Sequence, residues 1–337
     1  MSIGGAPSGT APEAGAWRAT VLLMTWRDER FVDEALVAAV AQTVPCEIIV
    51  SNDASDDGTH AKAEAFAATY RGPHRLVVRR NPRNLGVAAH VNAVAPLASA
   101  PVLVMMAGDD VAEPERVARQ LAIFDAEPDV MAVGSAFAAI DAEGAPLPLR
   151  MRGLPPRFGI DEFVRAGRLI GLLGASLALR REVFHAFGPL RGPIEDNALS
   201  LRAALLGRCA WLDAPLLRYR QHAGSVSAGV FARGEAAAVA KRRRYERTIA
   251  FYRGTADDLE ACLVAGVALP AATQRDAADV VRMYRLEADA REALLLRPRS
   301  GWIGPVLRGL RQRGLRRKSA ERALKLLLPR RWLRLDG

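Results

Sequence analysis

The sequence is short of the features that would place it outside the ordinary globular classes. Its 337 residues hold three cysteines, Cys46, Cys209 and Cys262, far apart and with no Cys-x-x-Cys spacing. That excludes a zinc cluster or a disulfide framework and fits a reducing compartment. No apolar run reaches the roughly 18 to 20 residues a membrane-spanning helix needs; the nearest, 91–108, is cut by Asn92, Pro96, Ser99 and Pro101. No Gly-x-Gly-x-x-Gly follows a strand pattern, which excludes a nicotinamide dehydrogenase. Aromatic residues make up only 6% of the chain, few for base stacking, so nucleic acid is not an expected partner. Acidic residues are scarce at one end. From 301 to 337, eleven Lys and Arg face two acids, a net of +9 against +10 for the whole chain. Residues 1–300 are therefore close to neutral, and a partner that attracts cations belongs at the C-terminus.

What remains is a chain half apolar and a quarter charged, long enough for one large or two modest domains. Residues 1–17, rich in Gly, Ala, Pro and Ser without an apolar segment, are expected to be a flexible tail rather than a signal peptide. From residue 20, short β-branched runs alternate with helical patterns. Strands are expected at 21–25, 47–50, 76–79 and 102–106, with helices at 31–42, 59–70 and 86–97. This order predicts an α/β fold with a mostly parallel sheet flanked by helices. Pro114 suits the first turn of a further helix reaching residue 126. Residues 131–147, with a turn at 141–144, read as a hairpin, 175–179 as a short strand, and 195–206 as a helix ended by Gly207. After about residue 227 the pattern is helical, so the domain at 18–228 is expected to carry a helical C-terminal extension at 229–337.

In such sheets ligands bind at the carboxyl ends of the strands, and the polar clusters fall there. Thr25, Asn52 with Asp53, and Asp109 with Asp110 each stand at or just after a strand end. The stretch Asn52-Asp53-Ala54-Ser55-Asp56-Asp57-Gly58-Thr59 could cap a helix, yet it holds more acids and amides than capping requires. Asp53 is the candidate to face a ligand. Adjacent carboxylates such as Asp109 and Asp110 raise one another's pKa unless a cation neutralises them. Hard divalent cations take one or two carboxylates plus substrate phosphates, so a metal diphosphate fits. Glu195-Asp196 opens a helix, where the dipole stabilises an anion and an ionised carboxylate can serve as a general base. Tyr219-Arg220-Gln221-His222-Ala223-Gly224-Ser225 brings a histidine, an arginine and a hydroxyl into one loop.

Taken in order, these segments resemble the family-2 glycosyltransferases of GT-A fold. The matching pieces are Leu23-Met24-Thr25-Trp26-Arg27, the acidic stretch 47–59, Asn84-Leu85-Gly86 with Asn92, Gly108-Asp109-Asp110 with Pro114, Glu195-Asp196 with Arg202, and Tyr219-Arg220-Gln221-His222 with Ser225 and Ser227. The likeness spans about residues 20–227. It implies a metal-dependent, inverting transfer of a sugar from a nucleotide-diphosphate donor to a saccharide or lipid-linked acceptor, in polysaccharide or glycolipid synthesis of the bacterial cell surface. The implied cofactor is Mg2+ or Mn2+. Thr25, Asn52 and Asp53 are then expected to hold the nucleotide, Asp109 the metal with Asp110 beside it, and Asp196 to act as base. His222 would sit near the metal, and Arg220 near the diphosphate.

Some positions depart from the family pattern. Many relatives have Asp at the positions of Ala107 and Asn52, and Asn at that of Arg27; the loss at Ala107 leaves a degenerate domain that binds nucleotide sugar or membrane without turnover as the alternative. A sugar-phosphate nucleotidyltransferase needs a Gly-rich loop after the first strand, which Thr25-Trp26-Arg27-Asp28-Glu29 lacks. At the other end, Trp302, Ile303, Val306, Leu307, Leu310, Leu326, Leu327, Leu328 and Trp332 alternate with arginines. A basic amphipathic helix of this kind suits an anionic membrane surface, or docks on the core with its arginines in water. The expected location is the cytoplasm, peripheral to the inner face of the plasma membrane.

Overall fold

The computed structural model describes residues 17–149, 153–225, 237–296, 298–312 and 314–327. Its first half alternates β1 (Ala19–Thr25), α1 (Val32–Val40), β2 (Glu47–Asn52), α2 (Thr59–Thr69), β3 (Arg75–Arg80), α3 (Val87–Val94) and β4 (Val102–Ala107). β1, β2, β3 and β4 are parallel in the order β3-β2-β1-β4. All residues of β2, and all but the last of β4, are buried, because helices cover both faces of the sheet. Such strands read as continuous apolar runs. The pleat divides their side chains. Leu22, Ile49, Leu103 and Met105 enter one apolar cluster, while Val21, Leu23, Ile48, Val50, Val104 and Met106 enter the other with Leu36, Val117 and Phe124, as the two-residue period of a strand requires.

Next come β5 (Val111–Ala112), α4 (Arg116–Ala126), β6 (Val130–Ile140), β7 (Arg157–Phe158), α5 (Ile160–Ala166), β8 (Ala178–Arg180), α6 (Arg181–Phe187), α7 (Asp196–Leu206) and β9 (Arg208–Arg220). β8 joins β4 and β6 by antiparallel pairs, and β6 continues to β9 in parallel. The expected hairpin at 131–147 is a single strand to Ile140; the return is one bridge, Ile140 to Pro146, because β6 takes its ladder from β8 and β9 instead. β9 includes Tyr219 and Arg220, which had been expected in a loop, and 208–218, for which no element had been expected. Pro215 and the register shifts opposite Ser135 and Ala136 interrupt its alternation, which hides a strand of 13 residues. Gly207 does end α7, but with extended backbone, φ −178°, not as a left-handed cap. Its glycine is needed because a Cβ there would stand 2.3 Å from the Asp129 carbonyl oxygen.

The C-terminal part is α8 (Ala237–Leu263), α9 (Ala271–Leu296), α10 (Ile303–Arg311) and α11 (Arg316–Leu327). These helices share a core with the sheet: Tyr252 and Tyr284 belong to the same cluster as Leu22, Phe163 and Leu199. Two buried ion clusters fasten them. Arg202 on α7 meets Asp258 on α8 at 2.7 Å, both side chains 1% exposed. Glu287 on α9, fully buried, accepts from Arg322 at 2.7 Å and from Arg291. The expected membrane-facing set divides on α10. Ile303, Leu307 and Leu310 are exposed, whereas Trp302 and Val306 are buried, since a helix docked along one side can offer only the opposite stripe to solvent. Leu328 and Trp332 lie outside the described residues. Among the described residues no helix is long and apolar enough to cross a membrane.

Candidate active site

Strand register brings the site together. Thr25 pairs with Asn52, and Met24 with Ala107, so three strands end side by side. The following loops are tied across these ends by backbone bonds: Asp53 N–H to Thr25 O at 2.9 Å, Gly108 N–H to Met24 O at 2.8 Å and Asn81 N–H to Asn52 O at 2.8 Å. A cavity of about 560 Å³ opens over this edge, lined by Thr25, Asp53 and Asp109 and also by Glu195 and Asp196 at the start of α7.

The acidic stretch after β2 is mostly internal scaffolding. Asn52 is fully buried, donating from Nδ2 to Thr25 Oγ1 at 3.1 Å and to Ser55 Oγ at 2.8 Å. Asn52, expected at the nucleotide, is here bonded within the protein and orients Thr25. Asp53 does line the cavity, yet its carboxylate accepts from the N–H groups of Leu85 and Gly86 and from Asn81 Nδ2 at 2.7 Å. It thus clamps the Asn84-Leu85-Gly86 loop to the strand end. Among the described residues, the two non-glycine positions with left-handed backbone, Arg27 (φ 57°) and Ala54 (φ 56°), stand two residues past the ends of β1 and β2. Such conformations are uncommon outside glycine and are held here by neighbours. Arg27 N–H donates to Ser55 Oγ at 2.9 Å, and its guanidinium forks onto Asp56 at 2.7 and 2.6 Å while lying 5.0 Å from the centre of the Trp26 ring. Trp26 itself is 42% exposed and lines the cavity.

Asp109 and Asp110 do not share a ligand. Asp110 is fully buried and accepts the Arg220 N–H at 2.8 Å. Burial, then the charge of Asp109, raises its pKa against that bond and the charges of Arg116 and Arg220. Arg220, expected beside a diphosphate, is 2% exposed. Its guanidinium bonds Glu34 and the carbonyl oxygens of Asp109, Asp141 and Ala142, and lies 4.9 Å from the centre of the Phe31 ring. Both side chains are thus bonded within the protein around the Asp109 loop. Asp109 points to His222, Oδ2 to Nε2 at 3.0 Å. Adjacent donors around an octahedral cation with bonds of about 2.1 Å stand about 3 Å apart, so these two atoms fit one. Among the described residues no group of three or more His, Cys, Asp or Glu is arranged to hold a metal. A cation here would complete its shell from a diphosphate and water, as Mg2+ commonly does.

Asp28, in the loop ahead of α1, belongs to the same corner and was missed in the sequence. Its carboxylate accepts the Trp26 N–H at 2.9 Å. Burial, then Asp109, pushes its pKa up to about 7. A Cβ at Gly108 would stand 2.4 Å from Asp28 Oδ2 and 2.8 Å from Thr25 Cγ2, so that glycine serves this packing within the protein. His90 also went unnoticed. It bonds Ser51 Oγ at 2.7 Å, and burial lowers its pKa to about 4, so it is neutral at physiological pH. Both signals are spatial and leave no local pattern.

Glu195 and Asp196 are neighbouring carboxyls, both partly exposed, that line the cavity. Burial, and then the Asp196 charge, raises Glu195 to about 8. Asp196 is raised by burial but held down by the Asn197 backbone N–H and side-chain amide, at 2.6 and 2.9 Å. Near neutral pH Glu195 therefore keeps its proton, while the two bonds from Asn197 favour the ionised form of Asp196.

The model of glycosyl transferase family 2 matches residues 20–188. An uncharacterized protein of Mycobacterium tuberculosis is 26% identical over 216 residues, which cover 61% of this chain and 60% of that protein; the chain thus spans less than two thirds of its relative's length. Among solved structures, the mannosyltransferase PcManGT of Pyrobaculum calidifontis, in complex with GDP-Man and Mn2+, superposes with a TM-score of 0.56 at 15% identity, over 96% of this chain and 86% of that one. TarS of S. aureus, in complex with UDP-GlcNAc, gives 0.55 at 16% identity, over 86% and 79%. At these identities the likeness is one of fold.

Proposed function

The chain belongs to glycosyl transferase family 2 and is a glycosyltransferase, and from that premise we propose that it moves a sugar, with inversion, from a nucleotide-diphosphate donor to an acceptor hydroxyl. The observation that carries this reading is one cavity lined both by the strand-end loops with Asp109 and by the Glu195–Asp196 pair. Solved structures of the same fold hold UDP-GlcNAc and GDP-Man with Mn2+, which supports a nucleotide-sugar donor here. Asp109 and His222 would hold the divalent cation, Mg2+ or Mn2+, which when bound neutralises the charge developing on the leaving diphosphate. Thr25, oriented by Asn52, and Asp53 with its clamped loop shape the nucleotide side.

At the other carboxylate pair, ionised Asp196 takes the acceptor's proton as its oxygen attacks the anomeric carbon and the bond from that carbon to the diphosphate oxygen breaks. General-base help of this kind is worth about 10²- to 10⁴-fold. Glu195, already protonated, adds no second charge. A single displacement inverts the anomeric centre. We place the reaction in cell-surface polysaccharide or glycolipid synthesis. Ile303, Leu307 and Leu310 would meet an anionic membrane surface, with Arg308 and Arg311 on the same helix favouring anionic headgroups.

Incubating the full chain with UDP-glucose, UDP-GlcNAc and GDP-mannose, each with Mn2+ or Mg2+, tests the reading through release of nucleoside diphosphate. At least one donor should turn over, and EDTA should stop it. No release from any donor, or release indifferent to EDTA, would overturn it.

A further inference from the structure

The cavity is acidic except at one place. Five carboxylates line it, those of Asp28, Asp53, Asp109, Glu195 and Asp196, and among its described lining residues Arg247 is the one arginine or lysine. Arg247 comes from α8, outside the alternating sheet region, and Phe251 lines the cavity from the same helix. Four residues apart, they share a face.

The position of α8 is fixed by the segment that leads into the base. The backbones cross closely at Gly254: a Cβ there would stand 2.4 Å from Pro193 Cδ, and one on Gly192 would stand 3.1 Å from Gly254 O. A Cβ at Gly254 would clash and one at Gly192 would be tight, so the glycines allow this close approach. The Arg191 N–H donates to Asp258 Oδ1 at 2.9 Å, and Asp258 is the buried partner of Arg202 on α7. Residues 191–193 run directly into Ile194, Glu195 and Asp196, all three of which line the cavity. Phe251 and Arg247 stand about one and two turns before Gly254, and so extend roughly 10 Å along the helix from that crossing. Helix α8 is thereby tied to the segment that leads into Glu195 and Asp196.

We propose that Arg247 and Phe251 form an acceptor subsite for a molecule that carries an anionic group, a phosphate or a carboxylate, beside the hydroxyl to be glycosylated. The guanidinium is a planar fork that matches either anion in a bidentate manner, and in a cavity of carboxylates it is the place where an anion is attracted. The Phe251 ring offers an apolar face one turn along, suited to a sugar ring or an alkyl chain next to that anion. The word acceptor rests on the glycosyltransferase reading; the anion site does not.

The test uses the full chain and two matched pairs of probes, glycerol 3-phosphate with glycerol and glucuronate with glucose. Binding is measured by saturation-transfer NMR with EDTA present, so that no metal-held diphosphate site contributes. The charged member of at least one pair should bind where its neutral partner does not. Arg247→Gln should weaken that binding about tenfold, the loss of one charge-assisted contact, and Arg247→Lys should restore part of it. Melting curves establish that each variant is folded. Asp109→Asn should bind the charged probe no more weakly than the unaltered chain, which separates this site from the donor side. Equal binding of charged and neutral probes, indifference to Arg247→Gln, or loss of binding in Asp109→Asn would each overturn the proposal. Binding that depends on Arg247 in a chain that releases no nucleoside diphosphate would remove the enzymatic reading and leave the anion site. Turnover without anion binding would do the reverse.

Discussion

Buried carboxylates occur in both halves of the molecule and behave in opposite ways. In the helical layer Glu287 is surrounded by Arg322, Arg291 and Lys318; burial works against its charge, but these partners outweigh it and hold the pKa at about 2. At the sheet edge Asp28 rises to about 7 and Glu195 to about 8, because burial and a neighbouring carboxylate act together. The chemistry of the group is the same in each case. What differs is whether the fold supplies its own countercharge. Where it does, the acid fastens helices. Where it does not, the arrangement suits proton transfer or a cation that arrives with substrate, which is how perturbed acids mark functional sites.

The most direct way to break this contrast is at Asp196. Asp196→Asn should lower kcat by about 10²- to 10⁴-fold while leaving the melting temperature nearly unchanged, since the side chain is partly exposed and keeps its shape. Glu195→Gln should cost much less at neutral pH, because Glu195 is already protonated there. Equal losses in the two variants, read from initial rates with a donor that turns over, would dissolve the division of roles.

The helical layer should respond in stability first. Asp258→Ala leaves Arg202 buried without its partner, a change worth about 3–5 kcal/mol, to be read from denaturant midpoints. Since Asp258 also holds the Arg191 N–H at 2.9 Å, kcat/KM should fall as well. A variant that loses stability but keeps full turnover would show that α8 does not position the segment before Glu195.

The sequence makes the two regions unequally legible. β1, β2 and β4 carry apolar runs broken by polar turns, β3 is a half-exposed edge strand with only Leu76, Val77 and Val78 apolar, and the parallel order with its strand-end site follows from that pattern; Thr25, Asp53, Asp109 and Asp196 all line one cavity. The sequence does not reveal the direction each side chain takes. Asn52, Asp110 and Arg220 are of the right type and at the right loops, yet they turn inward: Asn52 and Asp110 accept from the Ser55 and Arg220 N–H groups, and the Arg220 guanidinium donates to Glu34, a choice made by backbone geometry after strand pairing. Asp28 and His90 went unseen for the converse reason, since each gains its meaning from a residue distant in the chain. The Ala- and Arg-rich helices look uniform in sequence, and only the crossing of Gly254 on Pro193 shows that they reach the cavity.

A smaller effect sharpens the contrast through pH. The Glu287 carboxyl titrates near 4.5 when unfolded and near 2 when folded, so the folded form binds its proton less readily. The resulting stability is fully present above about pH 5 and is lost as pH falls through 2. At about 1.4 kcal/mol per unit of displacement it is on the order of 3 kcal/mol. Acid titration of the unfolding free energy should therefore show a decline between pH 5 and 2 that Glu287→Gln reduces. The exposed pair Arg317 and Glu321, with side chains 92% and 57% exposed, serves as the control. Such pairs contribute little, so Arg317→Ala should leave the acid profile and the melting temperature where they were. If the control changed the decline as much as Glu287→Gln did, net charge on the helical layer, and not the buried cluster, would be what fastens it.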